Sequence, residues 1–245
     1  MKIRIKFSKH GSMKFVGHLD LMRFFQKAIR MSGIDICYSK GFRPHPVMSF
    51  AAPLGVGLTS DGEYLDIEAH TSRSSKDAMD ALNAVMPEGL KVTGYIQLDD
   101  HAKTAMSVVK AADYEIWYRQ EYEMPPQLSD QETFQALLRQ FYTDREEVLI
   151  TKKTKKSEKV MDFKQLIYEM RMLEPQKKYL DRPALYVNVC TGSTDNVKPE
   201  LVLEAFYEFA GLNYNPYAMQ IHRRDVYETD EAGGRRPLLA AGKPL

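Results

Sequence analysis

The feature that most constrains the fold is a change of hydrophobic period within the first hundred residues. Residues 2 to 8 alternate, with Ile3, Ile5 and Phe7 on one side, which is typical of a strand with one buried face. From Leu19 to Ser32 the apolar residues instead recur at helical spacing. Over the first hundred residues, the hydrophobic pattern predicts the order β-α-β-β-(β)-α-β, which is close to the ferredoxin-like split βαβ unit.

The same kind of pattern begins again after the polar segment Asp99-Asp100-His101, so the second half is predicted to repeat the first. We therefore expect an α+β protein of two tandem ferredoxin-like (split βαβ) units with antiparallel sheets. The predicted division is residues 1–100, residues 112–228 and a flexible tail at 229–245. Within the second unit, Met161 to Leu173 is ambiguous, although its apolar spacing suits a helix.

Charge is distributed unevenly along a chain whose formal net charge is only +1. Residues 1 to 50 contain ten Lys or Arg against two acids, a local net charge of +8, and five lysines fall within residues 152 to 159. Such blocks mark either a solvated surface or a surface that binds polyanions, and both interpretations stay open. No apolar run approaches the roughly 18 residues of a membrane span, so we expect no membrane association.

Two dense motifs carry a resemblance to a known family. Phe15-Val16-Gly17-His18-Leu19-Asp20-Leu21-Met22-Arg23 is followed by Tyr38-Ser39-Lys40-Gly41-Phe42-Arg43-Pro44-His45-Pro46, and further matching residues extend to position 69. The string resembles the uncharacterised bacterial proteins described as radical-SAM-linked or radical-SAM-associated. The resemblance implies a domain that occurs alone or joined to a radical SAM enzyme, commonly encoded beside a ribonuclease of the E/G type and ribosomal proteins.

Cysteine content limits what this chain does within such a partnership. A radical SAM enzyme needs three cysteine thiolates for its iron–sulfur cluster, and this chain has only Cys37 and Cys190. We expect both to be buried free thiols, which suits a reducing cytoplasm. The chain is therefore predicted to be a cytoplasmic partner of a radical SAM protein, with neither cofactor nor metal of its own.

The candidate site residues combine cations with an aromatic side chain, as RNA contacts do. Stiffened by two prolines, the loop around His45 presents Phe42 for base stacking and Arg43 for phosphate pairing. The predicted RNA-binding residues are Arg23, Lys27, Arg30, Lys40, Phe42, Arg43, His45, Lys152, Lys153, Lys155 and Lys156. A purely structural interpretation also stays open, in which His18, Asp20 and Arg23 cap a helix and the loop is an ordinary turn. Glu63 and Asp66 are expected to face solvent on a half-buried strand, and pairing with Arg43 stays open as the alternative.

The sequence is compatible with three functions. The favoured one is a non-catalytic RNA-binding or adaptor protein, with RNA or a ribosome-related particle as a further partner. The second is an RNA-processing endoribonuclease similar to the CRISPR repeat-cleaving enzymes, with His18 or His45 as the acid–base group. The third is a protein–protein scaffold whose lysines are merely solvated.

Overall fold

The computed structural model describes residues 1–153, 158–192, 195–230 and 232–245, without the side chains of residues 152, 153, 158 and 159. The strands are β1 (Lys2–Lys9), β2 (Met48–Phe50), β3 (Thr59–Glu68), β4 (Leu90–Leu98), β5 (Ala111–Tyr118), β6 (Leu149–Lys153), β7 (Glu158–Asp162), β8 (Ile167–Gln176), β9 (Arg182–Cys190), β10 (Met219–Thr229) and β11 (Arg235–Pro237). The helices are α1 (His18–Met31), α2 (Ser75–Asn83), α3 (Ala105–Val108), α4 (Pro126–Ser129), α5 (Gln131–Leu138) and α6 (Pro199–Phe209). The α+β class predicted from the sequence is confirmed.

Contacts divide the chain into two units. Unit 1 comprises Met1–Lys110 together with Arg223–Leu245, and unit 2 comprises Ala111–His222. The C-terminal residues thus belong with the N-terminal ones, whereas the sequence predicted a second unit over residues 112–228. Among the described residues, no helix has both the length and the apolar character needed to span a membrane.

The sheet of unit 1 is built around β1, which pairs antiparallel with β3 on one side and with β4 on the other. Strand β2 pairs antiparallel with β3, and the C-terminal strand β10 also lies beside β3. Ile3, Ile5 and Phe7 of β1 are completely buried in a core that includes Phe25 of α1 and Leu82 of α2. The alternation in β1 therefore places both long helices on one face of the sheet.

The C-terminal residues 229–245, predicted as a flexible tail, contribute structure to unit 1. Strand β11 pairs antiparallel with β10, and the 3₁₀ turn that follows it buries Leu238 completely. A Cβ atom added at Gly94 of β4 would meet the Leu239 side chain at 2.8 Å. This turn therefore packs on the sheet face opposite α1 and α2, since Gly94 lies across from Lys6.

Unit 2 contains an antiparallel sheet in the order β5-β9-β8 and a separate hairpin of β6 and β7. Asp130 caps α5 by accepting a hydrogen bond from Thr133 N–H, as N-cap aspartates do. The core of unit 2 contains a cluster of aromatic side chains, in which Phe206 of α6 contacts Phe134 and Phe141 at ring-centroid distances of 6.1 and 5.5 Å.

Two apolar segments of the sequence do not form a regular helix or strand along their whole length. Met161 to Leu173, which suits a helix by its spacing, forms the end of β7, a short 3₁₀ turn and the start of β8. The segment from Ile34 to Tyr38 makes only isolated bridges, from Ile36 to Ala69 and from Tyr38 to Pro46. The ferredoxin-like assignment of both units stays a prediction.

Candidate functional site

Three predicted RNA-binding residues share one exposed face of α1. The helix buries Leu21, Phe25, Ala28 and Ile29, which repeat at helical spacing. Arg23, Lys27 and Arg30, spaced by four and then three residues, are exposed on the other side, and we call them the α1 basic face. The Arg23 guanidinium donates to Asp20 at 3.2 Å, but both side chains are exposed and such a pair contributes about 0–1 kcal/mol. It leaves Arg23 able to contact another anion.

The second predicted element is the loop Ser39–His45, hereafter the Phe42 loop. Its ends are closed by three hydrogen bonds, because Ser39 N–H donates to the His45 carbonyl, His45 N–H donates to Ser39 Oγ, and Ser39 Oγ lies 2.9 Å from His45 Nδ1. Gly41 adopts a φ of 121°, which a side chain would disfavour. The Phe42 ring at the tip is fully exposed, and Lys40 and Arg43 are exposed beside it. A closed loop therefore presents an apolar ring and two cations to solvent.

The histidines singled out as weak catalytic candidates have different surroundings. The imidazole of His18 packs edge-on against Phe50 with ring centroids 5.2 Å apart, next to the core aromatics Phe7 and Phe25. His45 is tied to Ser39 in the Phe42 loop. The Nε2 atom of a third histidine, His10, lies 2.7 Å from Oδ1 of Asp61. Among the described residues, no group of three His, Cys, Asp or Glu side chains is placed to hold a metal ion.

Only part of the predicted lysine cluster lies among the described residues of unit 2. Lys152 and Lys153 lie on β6 and pair across to β7, and their side chains are outside the description. Lys155 and Lys156 lie outside the described residues altogether. Their role in RNA binding therefore stays a prediction.

A cluster of buried charges on the helix side of unit 1 was not predicted from the sequence. The Arg223 guanidinium and the Glu63 carboxylate are almost completely buried, with N–O distances of 2.5–2.9 Å. Arg223 also donates to the Ala52 carbonyl at 2.6 Å. Lys9, equally buried, donates to the Val16 carbonyl at 2.8 Å. We call Lys9, Glu63 and Arg223 the helix-side cluster.

The environment of this cluster disfavours charge on its lysine. Burial lowers the pKa of the Lys9 ammonium below its ordinary value; the neighbouring Glu63 carboxylate opposes the shift and Arg223 adds to it. Glu63 therefore balances two buried cations. The expectation that Glu63 faces solvent is wrong.

The opposite face of the sheet holds a second set of buried charges. Arg4, only 1% exposed, forms a two-point contact with Asp66 at 2.8 and 3.0 Å and donates to the Leu238 carbonyl at 3.2 Å. Asp66 also accepts a hydrogen bond from Ala105 N–H at 2.6 Å, so it does not face solvent either.

Beside this pair, Asp225 accepts hydrogen bonds from Lys6 Nζ at 2.6 Å and from the Tyr64 hydroxyl at 2.8 Å. Burial, followed by the negative charge of Asp225, raises the pKa of Tyr64. Lys6 and Asp225 are mostly buried as well, and Tyr64 is 2% exposed. This face of unit 1 therefore satisfies its charges internally.

These contacts change the interpretation of the local charge of +8. Arg4, Lys6 and Lys9 face internal carboxylates or carbonyls and are not part of a solvated basic surface. The charged residues at positions 63, 66, 223 and 225 lie in strands β3 and β10, which contain more polar than apolar residues, so the local pattern does not mark these four charges as buried. The partners of these charges can be predicted only if β10 is known to lie beside β3, and local sequence patterns do not show which strands are neighbours.

Both cysteines are free and half-buried, which is more exposed than the expected buried thiols. Cys37 donates its backbone N–H to the Glu68 carbonyl at 2.7 Å, and the Cys190 thiol lies 3.3 Å from the Asp195 carbonyl.

Comparison with protein families gives one match. The model of a family described as an uncharacterised protein conserved in bacteria (DUF2344) matches residues 2–199. Among curated proteins, no match to this sequence is found. The predicted membership of an uncharacterised bacterial family is thereby confirmed, and the association with radical SAM enzymes stays a prediction.

Proposed function

We propose that this chain, which belongs to the DUF2344 family, is a non-catalytic RNA-binding protein. The observation that carries the proposal is the Phe42 loop, where a fully exposed aromatic ring is held at the tip of a closed loop between Lys40 and Arg43. An exposed aromatic ring with cations beside it is suited to stacking on a base and pairing with the adjoining phosphates.

The electrostatics of the surrounding sequence favour a polyanion. Residues 36 to 60 contain no Asp or Glu, so the Phe42 loop has no acidic neighbour in that stretch of chain. The α1 basic face adds three exposed cations. Lys and Arg contacts to phosphates provide affinity that is independent of sequence, whereas stacking on an aromatic ring favours unpaired bases. The expected ligand is therefore single-stranded RNA.

Binding of a fluorescently labelled single-stranded RNA of mixed sequence tests this directly. We expect Phe42→Ala to weaken binding by about 1–3 kcal/mol, the contribution of one stacked base, which is a factor of about 5 to 150. Arg23→Glu combined with Arg43→Glu is expected to weaken it further. Lys91→Glu, an exposed lysine on β4, is the matched control and should leave affinity unchanged.

The same reaction mixtures decide between binding and cleavage. We expect the RNA to remain intact on prolonged incubation with the wild-type chain. Cleavage that is abolished in His45→Ala or His18→Ala would replace the proposal with the endoribonuclease hypothesis. Equal affinity in wild type and Phe42→Ala would remove the stacking argument, and absence of binding at low salt would leave the scaffold hypothesis.

The second part of the proposal concerns the partner. We propose that the RNA-binding chain acts in the cytoplasm beside a radical SAM enzyme, since the family resemblance implies this association and two cysteines do not suffice for a cluster. Crosslinking and purification of the tagged chain from its own cells, with RNA and protein identified together, tests it. Recovery of RNA without any radical SAM protein would remove this part and leave the first intact.

A further inference from the structure

Unit 2 contains a groove of about 480 Å³ between α6 and the β6–β7 hairpin, which we call the α6 groove. One wall is a stripe of α6, in which Leu201, Ala205 and Phe209 follow each other at intervals of four residues. The other wall is formed by residues of β6 and β7. This volume lies within the range of about 300–1,000 Å³ that is typical of ligand sites.

The hairpin wall exposes apolar side chains that a solvated surface does not require. Leu149 is 57% exposed on β6 and Val160 is 59% exposed on β7. In the hairpin register Leu149 pairs with Asp162 and Thr151 with Val160, so Leu149 and Val160 lie on the same face of the hairpin. An apolar strand face opposite an apolar helix stripe is suited to receive the apolar side of a ligand.

The charged groups of the groove determine which kind of ligand it suits. Glu204 and Glu208 lie one helical turn apart on α6, and both are exposed. Within the described part of the chain, neither carboxylate has a hydrogen-bond or ion-pair partner. Arg145, the remaining charged lining residue, stacks over the Phe209 ring at 4.5 Å. Two unpaired carboxylates repel a phosphate backbone and attract a cation.

We propose that the α6 groove docks an amphipathic helix of a partner protein that carries Lys or Arg along one side. Apolar side chains of that helix, spaced by three and four residues, fill the space between the stripe of α6 and the Leu149–Val160 face. Its basic side chains face Glu204 and Glu208. The groove thus gives the chain a protein-binding site separate from the RNA-binding residues proposed for unit 1.

Selection of displayed random sixteen-residue peptides on the full-length chain tests the proposal without knowledge of the partner. We expect enrichment of sequences with apolar residues at helical spacing and Lys or Arg beside them. Synthetic peptides from the enriched set should lose at least about tenfold in affinity for Glu204→Lys/Glu208→Lys, because opposed like charges are costly at an interface. Leu149→Ser/Val160→Ser should weaken them similarly.

Two controls separate the groove from general effects of charge or folding. Glu174→Lys reverses an exposed carboxylate on β8 and should leave peptide affinity unchanged. Trp117, the single tryptophan, lies in unit 2, so an unchanged fluorescence spectrum shows that the groove variants remain folded.

Three results would overturn the proposal. One is that no peptide is enriched, and another is that enriched peptides bind the groove variants and wild type equally. The third is a self-association in sedimentation experiments that Glu204→Lys/Glu208→Lys abolishes, which would make a second copy of the chain the occupant. RNA binding is measured separately on wild type and Phe42→Ala, and its result decides the function proposed above and not this one.

Discussion

Removing the negative charge of Glu63 is the most informative single perturbation of unit 1. Glu63→Gln retains the size and shape of the side chain, but it removes the ion-pair partner of the Arg223 guanidinium and the negative charge near the Lys9 ammonium. Arg223 is 2% exposed and Lys9 is 1% exposed, so water cannot replace that partner. Breaking a buried ion pair from one side typically costs about 3–5 kcal/mol, because an uncompensated charge stays in the interior.

The structure also indicates how the loss should be recovered. Replacing Glu63 and Arg223 alone would still leave Lys9 charged and buried, so the matching apolar variant is Lys9→Met/Glu63→Leu/Arg223→Met. Apolar replacement of a complete buried charge set is often neutral or stabilising. We therefore expect the triple variant to be more stable than Glu63→Gln, although it contains two more substitutions.

Urea denaturation followed by far-ultraviolet circular dichroism measures these changes, and hydrogen exchange of peptides from β1 and β3 assigns them to unit 1. Glu68→Gln, an exposed position on the same strand, is the control and should change the free energy of unfolding by less than about 0.5 kcal/mol. A loss of less than about 1 kcal/mol for Glu63→Gln, or a triple variant less stable than the single one, would refute the reasoning.

Three further changes test other contacts of unit 1. The folded state holds the pKa of Lys9 below its value in the unfolded chain, so unfolding takes up protons at pH values between the two. The free energy of unfolding should therefore rise with pH over that interval. A pH series of urea midpoints should show this rise in wild type and not in Lys9→Met. Gly62→Ala would place a Cβ atom 2.4 Å from Asp225 Cα and should cost about 1–3 kcal/mol of unfolding free energy, measured in urea. Leu238→Ala, at a completely buried position of the C-terminal 3₁₀ turn, should cost about 2–5 kcal/mol in the same assay, whereas no change would mean that the turn does not contribute to folding.

Elements with a strong local period could be predicted from the sequence. The α1 helix lies within one residue of the segment Leu19 to Ser32 that shows helical spacing, since it has an uninterrupted apolar face. The start of β8 was mistaken for a helix for a physical reason. A register shift between Ile167 and Glu169 puts Ile167 and Met170 on the same buried side, so a bulged strand shows the three-residue spacing of a helix.

The candidate site could be predicted only where exposure follows from local pattern. A helix with one apolar face necessarily exposes Arg23, Lys27 and Arg30, and a loop with two prolines and a glycine exposes Phe42. The buried charges could not be found in this way, because Glu63 and Arg223 are 160 residues apart. Charged residues are frequent in both strands, and which of them are buried and paired depends on the tertiary fold.

The distinction between buried and exposed cations has a measurable consequence for RNA binding. Each neutralised phosphate of a single strand contributes about −0.7 to the slope of log affinity against log salt concentration. If only Arg23, Lys27, Arg30, Lys40 and Arg43 contact phosphates in unit 1, its contribution cannot be steeper than about −3.5. All ten basic residues of the first fifty would give about −7.

A variant with Gln at positions 152, 153, 155 and 156 removes the predicted contribution of the lysine cluster, so that the remaining slope reports on unit 1. We expect a slope between about −2 and −3.5 for this variant, and Arg43→Gln should make the slope shallower by about 0.7. A remaining slope near −7 would mean that Arg4, Lys6 and Lys9 reach the RNA. That would require the pairs Arg4–Asp66 and Lys6–Asp225 to open on binding, so that these charges would form a binding surface rather than part of the interior.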